Sequence, residues 1–424
     1  MRWTLVAAGG AIVGVLLGSS NVAPGVGAQA RAGPPRVEAG SATGRLPPPP
    51  VPLKGPPGWC VEHVAFALGN SGKVVGGPAR WAISGGLPSC AVPAEQAGRL
   101  YSERPGERLY FSDQRRHVWV LEDGETWPVA GTDGQGEEDG PGSYASFVYT
   151  GVYGGHHDGM VAAGETVYLL DNGRLRRIRR DPDKRWQVET VSGRAPETSS
   201  PEAGATLTEL SNLGKGLAMD PKGNLYFTLE GGLLRAAPDG AVTQVITAEK
   251  ASAELAEIYR QKWPGAEARG VSLGVGEGVH LVYHPSGDVY GLGRTWPNAW
   301  KVTPQGRFVP LVGYGPAEKI HAHRWGPGNP ALYQVHCPMG CPGVSPEGYP
   351  VVQNEIPYVA ARYEPDQVVV LRKDGTWGLI PPESHDFYRF NTGHPGFYAD
   401  GTVQNAAPGP FPSGSMWIRL RKEN

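Results

Sequence analysis

The 424-residue chain lacks a surplus of charge of either sign: 39 Lys and Arg face 41 Asp and Glu, for a formal net charge of −2. It carries no basic footprint of the kind that nucleic acid or an anionic membrane surface would recognise, so neither is expected as a partner. Long helical patterns are few, and one apolar run alone is long, from Leu5 to Leu17. Motifs with a ready mechanism are scarce too. There is no H-E-x-x-H helix, no phosphate loop and no C-x-x-C-H haem attachment. Cysteine occurs four times, at Cys60, Cys90, Cys337 and Cys341.

The apolar run sets an expectation about compartment. Arg2 is the one charge before it, Gly9, Gly10 and Gly14 interrupt it, and "VGAQA" ends in the small-x-small pattern of a signal-peptidase site. The run is short for a membrane span. Residues 1–30 therefore read as a cleaved signal peptide, and the mature chain as secreted or periplasmic with no span after cleavage. Residues 31–57, with "LPPPPVPLKGPP" at their end, have little to bury and read as a semi-rigid Pro-rich linker. In an exported chain four cysteines suggest two disulfides, most locally Cys60 with Cys90 and Cys337 with Cys341. "HCPMGC" keeps a thiolate metal site as the alternative.

What is abundant is glycine and proline, 62 and 41 residues, around short aliphatic and aromatic runs. That is the profile of an all-β protein. An outline repeats: "ERLYFSDQRRHVWVLEDGETWPVAG" (107–131), "ETVYLLDNGRLRRIRRDPDKRWQVETVSG" (165–193) and "GNLYFTLEGGLLRAAPDGAVTQVI" (223–246). Weaker copies are "GDVYGLGRTWPNAWKVTPQGRFVPLVG" (287–313) and "ALYQVH" (331–336) with "DQVVVLRKDGTWGLI" (366–380). A landmark tyrosine falls at Tyr110, Tyr168, Tyr226, Tyr290 and Tyr333. Each unit reads as four strands joined by Gly-containing turns, and a four-stranded meander leaves two faces to cover, so several must pack around an axis.

The third copy, and the first together with its Gly-rich acidic tail "TDGQGEEDGPGSYASF", resemble NHL repeats, whose relatives are six-bladed β-propellers, and more broadly the NHL and SMP-30-like superfamily. The resemblance implies an all-β, six-bladed propeller over 58–424, with residues 60–90 completing the last blade; seven blades is the alternative count. Residues 247–263, "TAEKASAELAEIYRQKW", predict one helix between blades.

In such a fold the residues just before each inner strand converge on one mouth of the central channel. Aligning the copies on the end of the inner strand puts His157, of "YGGHHDGM" (153–160), with His321, His394 and Gly214, and puts His280 and His323 with Gly216. Neutral imidazoles from separate strands suit Zn²⁺ or another divalent metal with an open position, although histidines lining a hydrated channel can equally bind only water. Asp158 and Glu277 are the candidate catalytic acids or bases, and with Asn212 they make an oxygen set suited to Ca²⁺ as the alternative metal. Tyr153, Arg294 and Arg324 are candidate substrate contacts.

Two functions follow. One is a metal-dependent lyase or hydrolase acting at the channel mouth on a small molecule, peptide or sugar, as resemblance to the peptide-amidating lyases implies in principle; no stretch matches that family's catalytic motif. The other is a non-catalytic propeller that binds a protein or glycan of the cell envelope.

Overall fold

The chain divides into two units, Met1–Pro47 and Pro48–Asn424. The computed structural model describes residues 58–65, 74, 76–79, 82, 88–93, 108–113, 115–148, 159–192, 206–210, 213, 216–229, 231–273, 279–293, 296–319, 321–322, 330–334, 343–344, 350–354, 367–374, 377–379, 396–397, 403–408 and 415–422, all in the second unit. The expected signal peptide and linker lie outside them.

The described part of the second unit is an all-β propeller of antiparallel blades. Its strands are β1 (Trp59–Ala65), then β2 (Gly77–Pro78), β3 (Pro88–Pro93), β4 (Arg108–Asp113), β5 (Val118–Glu122) and β6 (Glu125–Ala130), followed by β7 (Gly140–Pro141), β8 (Gly159–Ala163), β9 (Thr166–Asp171), β10 (Arg174–Arg180) and β11 (Trp186–Thr190). Next come β12 (Leu217–Met219), β13 (Leu225–Leu229), β14 (Gly232–Ala236) and β15 (Val242–Thr247), the helix α1 (Ala248–Lys262), and β16 (Val279–Tyr283), β17 (Val289–Gly293), β18 (Ala299–Val302) and β19 (Phe308–Val312). The remainder holds β20 (His321–Ala322), β21 (Tyr333–Gln334), β22 (Gly343–Val344), β23 (Pro350–Asn354), β24 (Gln367–Leu371), β25 (Trp377–Leu379), β26 (Gly396–Phe397), β27 (Val403–Pro408) and β28 (Ser415–Lys422).

Four sheets have four strands each: β12 to β15, β16 to β19, β22 to β25, and β1-β28-β27-β26. That is four plain blades rather than the expected six. Two further sheets have five strands, in the orders β2-β6-β5-β4-β3 and β7-β11-β10-β9-β8. In each of these the fifth strand is a two-residue piece of the preceding connection laid on the outer edge, which hides an otherwise open ladder.

Two other expectations need correction. Residues 60–90 do not act as one element: β1 joins the C-terminal strand β28, whereas β2 and β3 belong to the following sheet. Tyr333 is not a landmark of a second strand. It lies in β21, which pairs in parallel with β20 as a separate two-stranded sheet, and the second strand of the next blade is β23, with no tyrosine in it.

The core lies between sheets. Along β13, Leu225, Phe227 and Leu229 pack with Val161, Leu170 and Leu175 of the preceding sheet, while Tyr226 packs with Val279, Leu281 and Trp300 of the following one. β4 and β5 alternate in the same way: Leu109, Phe111 and Trp119 go to one cluster, Tyr110, Val118 and Val120 to another. Period-two alternation thus feeds two apolar interfaces instead of one core and one wet face. The landmark tyrosines are bridges: Tyr110 Oη donates to Gly164 O of the next sheet at 2.9 Å, and the Tyr226 ring lies 5.6 Å from that of Tyr283. In the first hairpin turns Gly223 and Gly287 have φ of 81° and 89°, a region open to glycine and strained for other residues.

Inner strands adjoin in series, β3 with β8, β8 with β12, β12 with β16, and β22 with β26. Gly216 marks how close they come. A Cβ there would sit 2.5 Å from Val279 O and 2.6 Å from Leu281 Cγ of the neighbouring inner strand. Gly216→Ala is therefore expected to force β12 and β16 apart and cost about 1–3 kcal/mol in a denaturant titration; a change within about 0.5 kcal/mol would show that the two strands have room to separate.

Candidate functional site

Four antiparallel strands return the chain to the end from which it started. In each blade the first strand begins and the fourth ends on one face, where the turns between second and third strands also lie. The connections between blades start and end there. His157 and Asp158 immediately precede β8, Glu277 precedes β16 by two residues, His394 precedes β26 by two, and Arg294 follows β17 directly. These five, with Tyr153, Asn212, His323 and Arg324, lie outside the described residues.

Of the five predicted metal ligands, His280 is the one whose side chain is described. It is partly exposed on β16 between Val279 and Leu281, which both enter the apolar cluster shared with the preceding sheet, so alternation turns the imidazole away from that cluster. His321 is on β20, in the separate parallel pair, and so is not at an inner strand of any blade; the Tyr333 misassignment carried it there. Among the described residues no three His, Cys, Asp or Glu side chains stand together as a metal set. Cys60 and Cys90 are on β1 and β3, strands of two different sheets, and Cys337 and Cys341 lie outside the described residues.

Hairpin register corrects the alignment of the histidines. Met219 pairs with Leu225, Tyr283 with Val289, Val344 with Pro350 and Phe397 with Val403, each pair enclosing a turn of five residues. By these pairs Met219 corresponds to Phe397, two residues away from the alignment that matches His394 with Gly214; His394 itself lies outside the described residues. Within β3 and β8, the residues paired two positions beyond the landmark tyrosine are Cys90 (with Ser112) and Gly159 (with Leu170), as His280 is with Leu292.

Two carboxylates brace turns on this face. Asp113, fully buried at the end of β4, accepts the His117 and Arg115 amides on Oδ1 and the Trp119 indole N–H on Oδ2 at 2.8 Å. Desolvation pushes its carboxyl up, but the hydrogen bonds and charge of His117 and the bond from Trp119 outweigh this and hold it below its ordinary value. His117 stands in this turn and packs against Trp119. In the next sheet Asp171 accepts Val148 N–H on Oδ1 (2.8 Å) and Arg176 Nη1 on Oδ2 (3.0 Å). Arg176, with no solvent exposure, also donates to Glu138 O, Ser146 O and Asp139 Oδ1 and lies over the Phe147 ring. Composition and repeats did not reveal this clasp on the Gly-rich connection; the acidic run "EED" was its one visible sign.

α1 spans Ala248–Lys262, close to the predicted 247–263, and is capped by Thr247, whose hydroxyl accepts Lys250 N–H. It packs on β15 and β19, the outer strands of two neighbouring blades, burying Ala251, Leu255 and Tyr259 on one side. At its C-terminal end Tyr259, Trp263, Trp296 and Tyr314 form edge-to-face contacts, and Lys262 Nζ donates to Tyr314 Oη at 2.9 Å. Burial pushes the Tyr259 hydroxyl up to about 12. Trp300, with no exposure, packs between strands against Phe308. The stretch Gly270-Val271-Ser272-Leu273-Gly274 matches the G-x-S-x-G pattern, but it follows a helix with no strand before it and so lacks the context of a nucleophile elbow.

No protein-family model and no curated protein matches the chain. Among solved structures it is similar to a structural-genomics protein of unknown function from Bacteroides thetaiotaomicron (12% identity, 86% of this chain and 76% of that one, TM-score 0.49). It is also similar to an auxiliary nutrient binding protein from Bacteroides ovatus (12%, 86% and 77%, TM-score 0.43) and to a gluconolactonase from Xanthomonas campestris (11%, 79% and 86%, TM-score 0.39).

Burial pushes the Asp171 carboxyl up to about 6 in spite of Arg176 beside it. A carboxyl that holds its proton more tightly folded than unfolded favours the fold most below its unfolded pKa of 3.8, and this contribution is lost as pH rises through about 6. Between about pH 4 and pH 7 the wild type is therefore expected to lose roughly 2–3 kcal/mol of unfolding free energy relative to Asp171→Asn. Equal pH slopes for the two proteins would exclude Asp171 as the titrating group.

Proposed function

We propose that this is an exported, NHL-like six-bladed propeller whose ligand site is the mouth on which the inner strands begin, and that it works there as a metal-dependent lyase or hydrolase on a small molecule, peptide or sugar. What supports the reading is order along the chain: a His-Asp pair comes immediately before β8, a histidine stands on β16 and another comes just before β26, each close to the start of the first strand of a blade. The six sheets of four or five strands support the blade count.

In this reading His157, His280 and His394 are the imidazole ligands of Zn²⁺ or a similar divalent ion, a donor type suited to it, with Asp158, Asn212 and Glu277 the oxygen set if the ion is Ca²⁺. The metal would supply Lewis-acid polarisation of the substrate. Asp158 and Glu277 take or return the proton, and Tyr153, Arg294 and Arg324 hold polar or anionic groups of the ligand. A second reading, a non-catalytic module for an envelope protein or glycan, draws on two aromatics that stay in water: Tyr144 at 70% and Trp127 at 36% exposure.

The test is metal content. Residues 31–424, purified without a His tag, are expected to hold near-stoichiometric metal, to lose it in His157→Ala/His280→Ala/His394→Ala, and to keep it in His321→Ala. Absence of metal from the wild type, even after incubation with zinc or calcium, would overturn the enzyme reading in favour of the binding module.

A further inference from the structure

Among the described residues six hairpin turns share one geometry, over 113–117, 181–185, 220–224, 237–241, 284–288 and 303–307. In each, the fourth amide donates back to the first carbonyl, and the first amide donates to the fifth carbonyl. The fourth residue then falls in the left-handed region, which glycine enters freely and other residues do not. Four of the six have glycine there: Gly223, Gly240, Gly287 and Gly306, at φ between 71° and 89°. The other two have Arg116, at 73°, and Lys184, at 59°. Lys184 is exposed and joins β10 to β11, on the face opposite the mouth, as do the four glycine turns by their place between first and second or third and fourth strands. Arg116 is half-buried and joins β4 to β5, the second and third strands of its sheet, so its turn is the one of the six on the mouth face.

Neighbouring groups hold Arg116 in this conformation. Asp113 Oδ1 accepts the Arg115 and His117 amides inside the turn, and Gly131 of the following connection approaches so closely that a Cβ on it would sit 1.8 Å from Arg116 O. A side chain kept where glycine would fit better points to a ligand site when its chemistry is also unmet. Here it is. Arg108, Arg174, Arg176, Arg177 and Arg180 of the same two sheets each form an ion pair with a carboxylate. Arg116 forms none among the described residues: its exposed Nη1 makes one long bond, 3.4 Å, to Asp133 O, and its buried Nε has no partner. The Asp133 carboxylate is turned instead to His117 Nε2, at 4.0 Å. From this strained and unpaired guanidinium we infer that Arg116 anchors an oxyanion, a carboxylate or phosphate group of the ligand, at the mouth face through its terminal nitrogens. The inference rests on the reading of that face as the ligand site and narrows the ligand to an anion. It holds with or without a metal.

Calorimetric titration of chain 31–424 with inorganic phosphate and, separately, with succinate tests it and tells the two kinds of oxyanion apart. The wild type is expected to bind at least one of them, and Arg116→Gly to bind it about tenfold or more weakly. The same variant is expected to unfold about 1–3 °C higher, because the backbone strain leaves with the side chain. Lys184→Gly is the control, with a similar gain in midpoint and unchanged binding. Unchanged binding in Arg116→Gly overturns the inference, and so does a midpoint that falls, which would make Arg116 a builder of the turn. An anion held by a metal would survive in Arg116→Gly and be lost in His157→Ala/His280→Ala/His394→Ala, an outcome that removes Arg116 and leaves the metal reading standing. Binding of neither anion overturns the inference as well, while metal content, measured separately, decides the metal reading.

Discussion

Face-to-face contact between neighbouring sheets is the constraint on which the described structure depends. Strands such as β4, β5, β9 and β13 carry apolar side chains on both faces, so no sheet can stand alone in water, and each apolar interface is completed by the next sheet in the chain. At about 25 cal/mol per Å² of apolar surface removed from water, each fully buried Leu or Phe contributes about 1.5–3 kcal/mol. Tyr110 and Tyr226 add directional contacts across the same interfaces, and α1 covers the outer strands of two neighbouring blades with Leu255 and Tyr259.

Close packing at the inner ends has a chemical consequence. Side chains must be small wherever one inner strand touches the next, as at Gly216, and any larger residue at that level has to find a partner around the axis. The buried Arg176 shows the polar counterpart on the blade rim. There the two terminal nitrogens of a guanidinium with no water access donate to two carboxylates and two carbonyls, all drawn from one inter-blade connection and one turn, while its Nε has no partner among the described residues.

Much of the fold was legible in the residues because its signals are local. Gly-containing turns, Tyr landmarks at a spacing of 58 residues, and the helical period over 247–263 each report on a few neighbouring positions, and each has its counterpart in β4, β9, β13 or α1. The reading failed where a local signal was imitated. "ALYQVH" has the landmark, but its Tyr333 and Gln334 pair in parallel with His321 and Ala322 instead of in an antiparallel blade, and with it His321 was carried to the wrong place. The Asp171 and Arg176 clasp had no local signal, since its partners lie as far as 38 residues apart.

By itself the sequence determined the all-β class, the four-stranded unit and its turns, since these follow from side-chain period and from glycine's freedom at positive φ. Only the tertiary structure decided which strand pairs with which across the long connections, and therefore which residues share a height on the inner strands. Register between strands is set by packing against other sheets. The pairs of Met219 with Leu225, Tyr283 with Val289 and Phe397 with Val403 fix a register that a Gly-rich alignment leaves open by two residues.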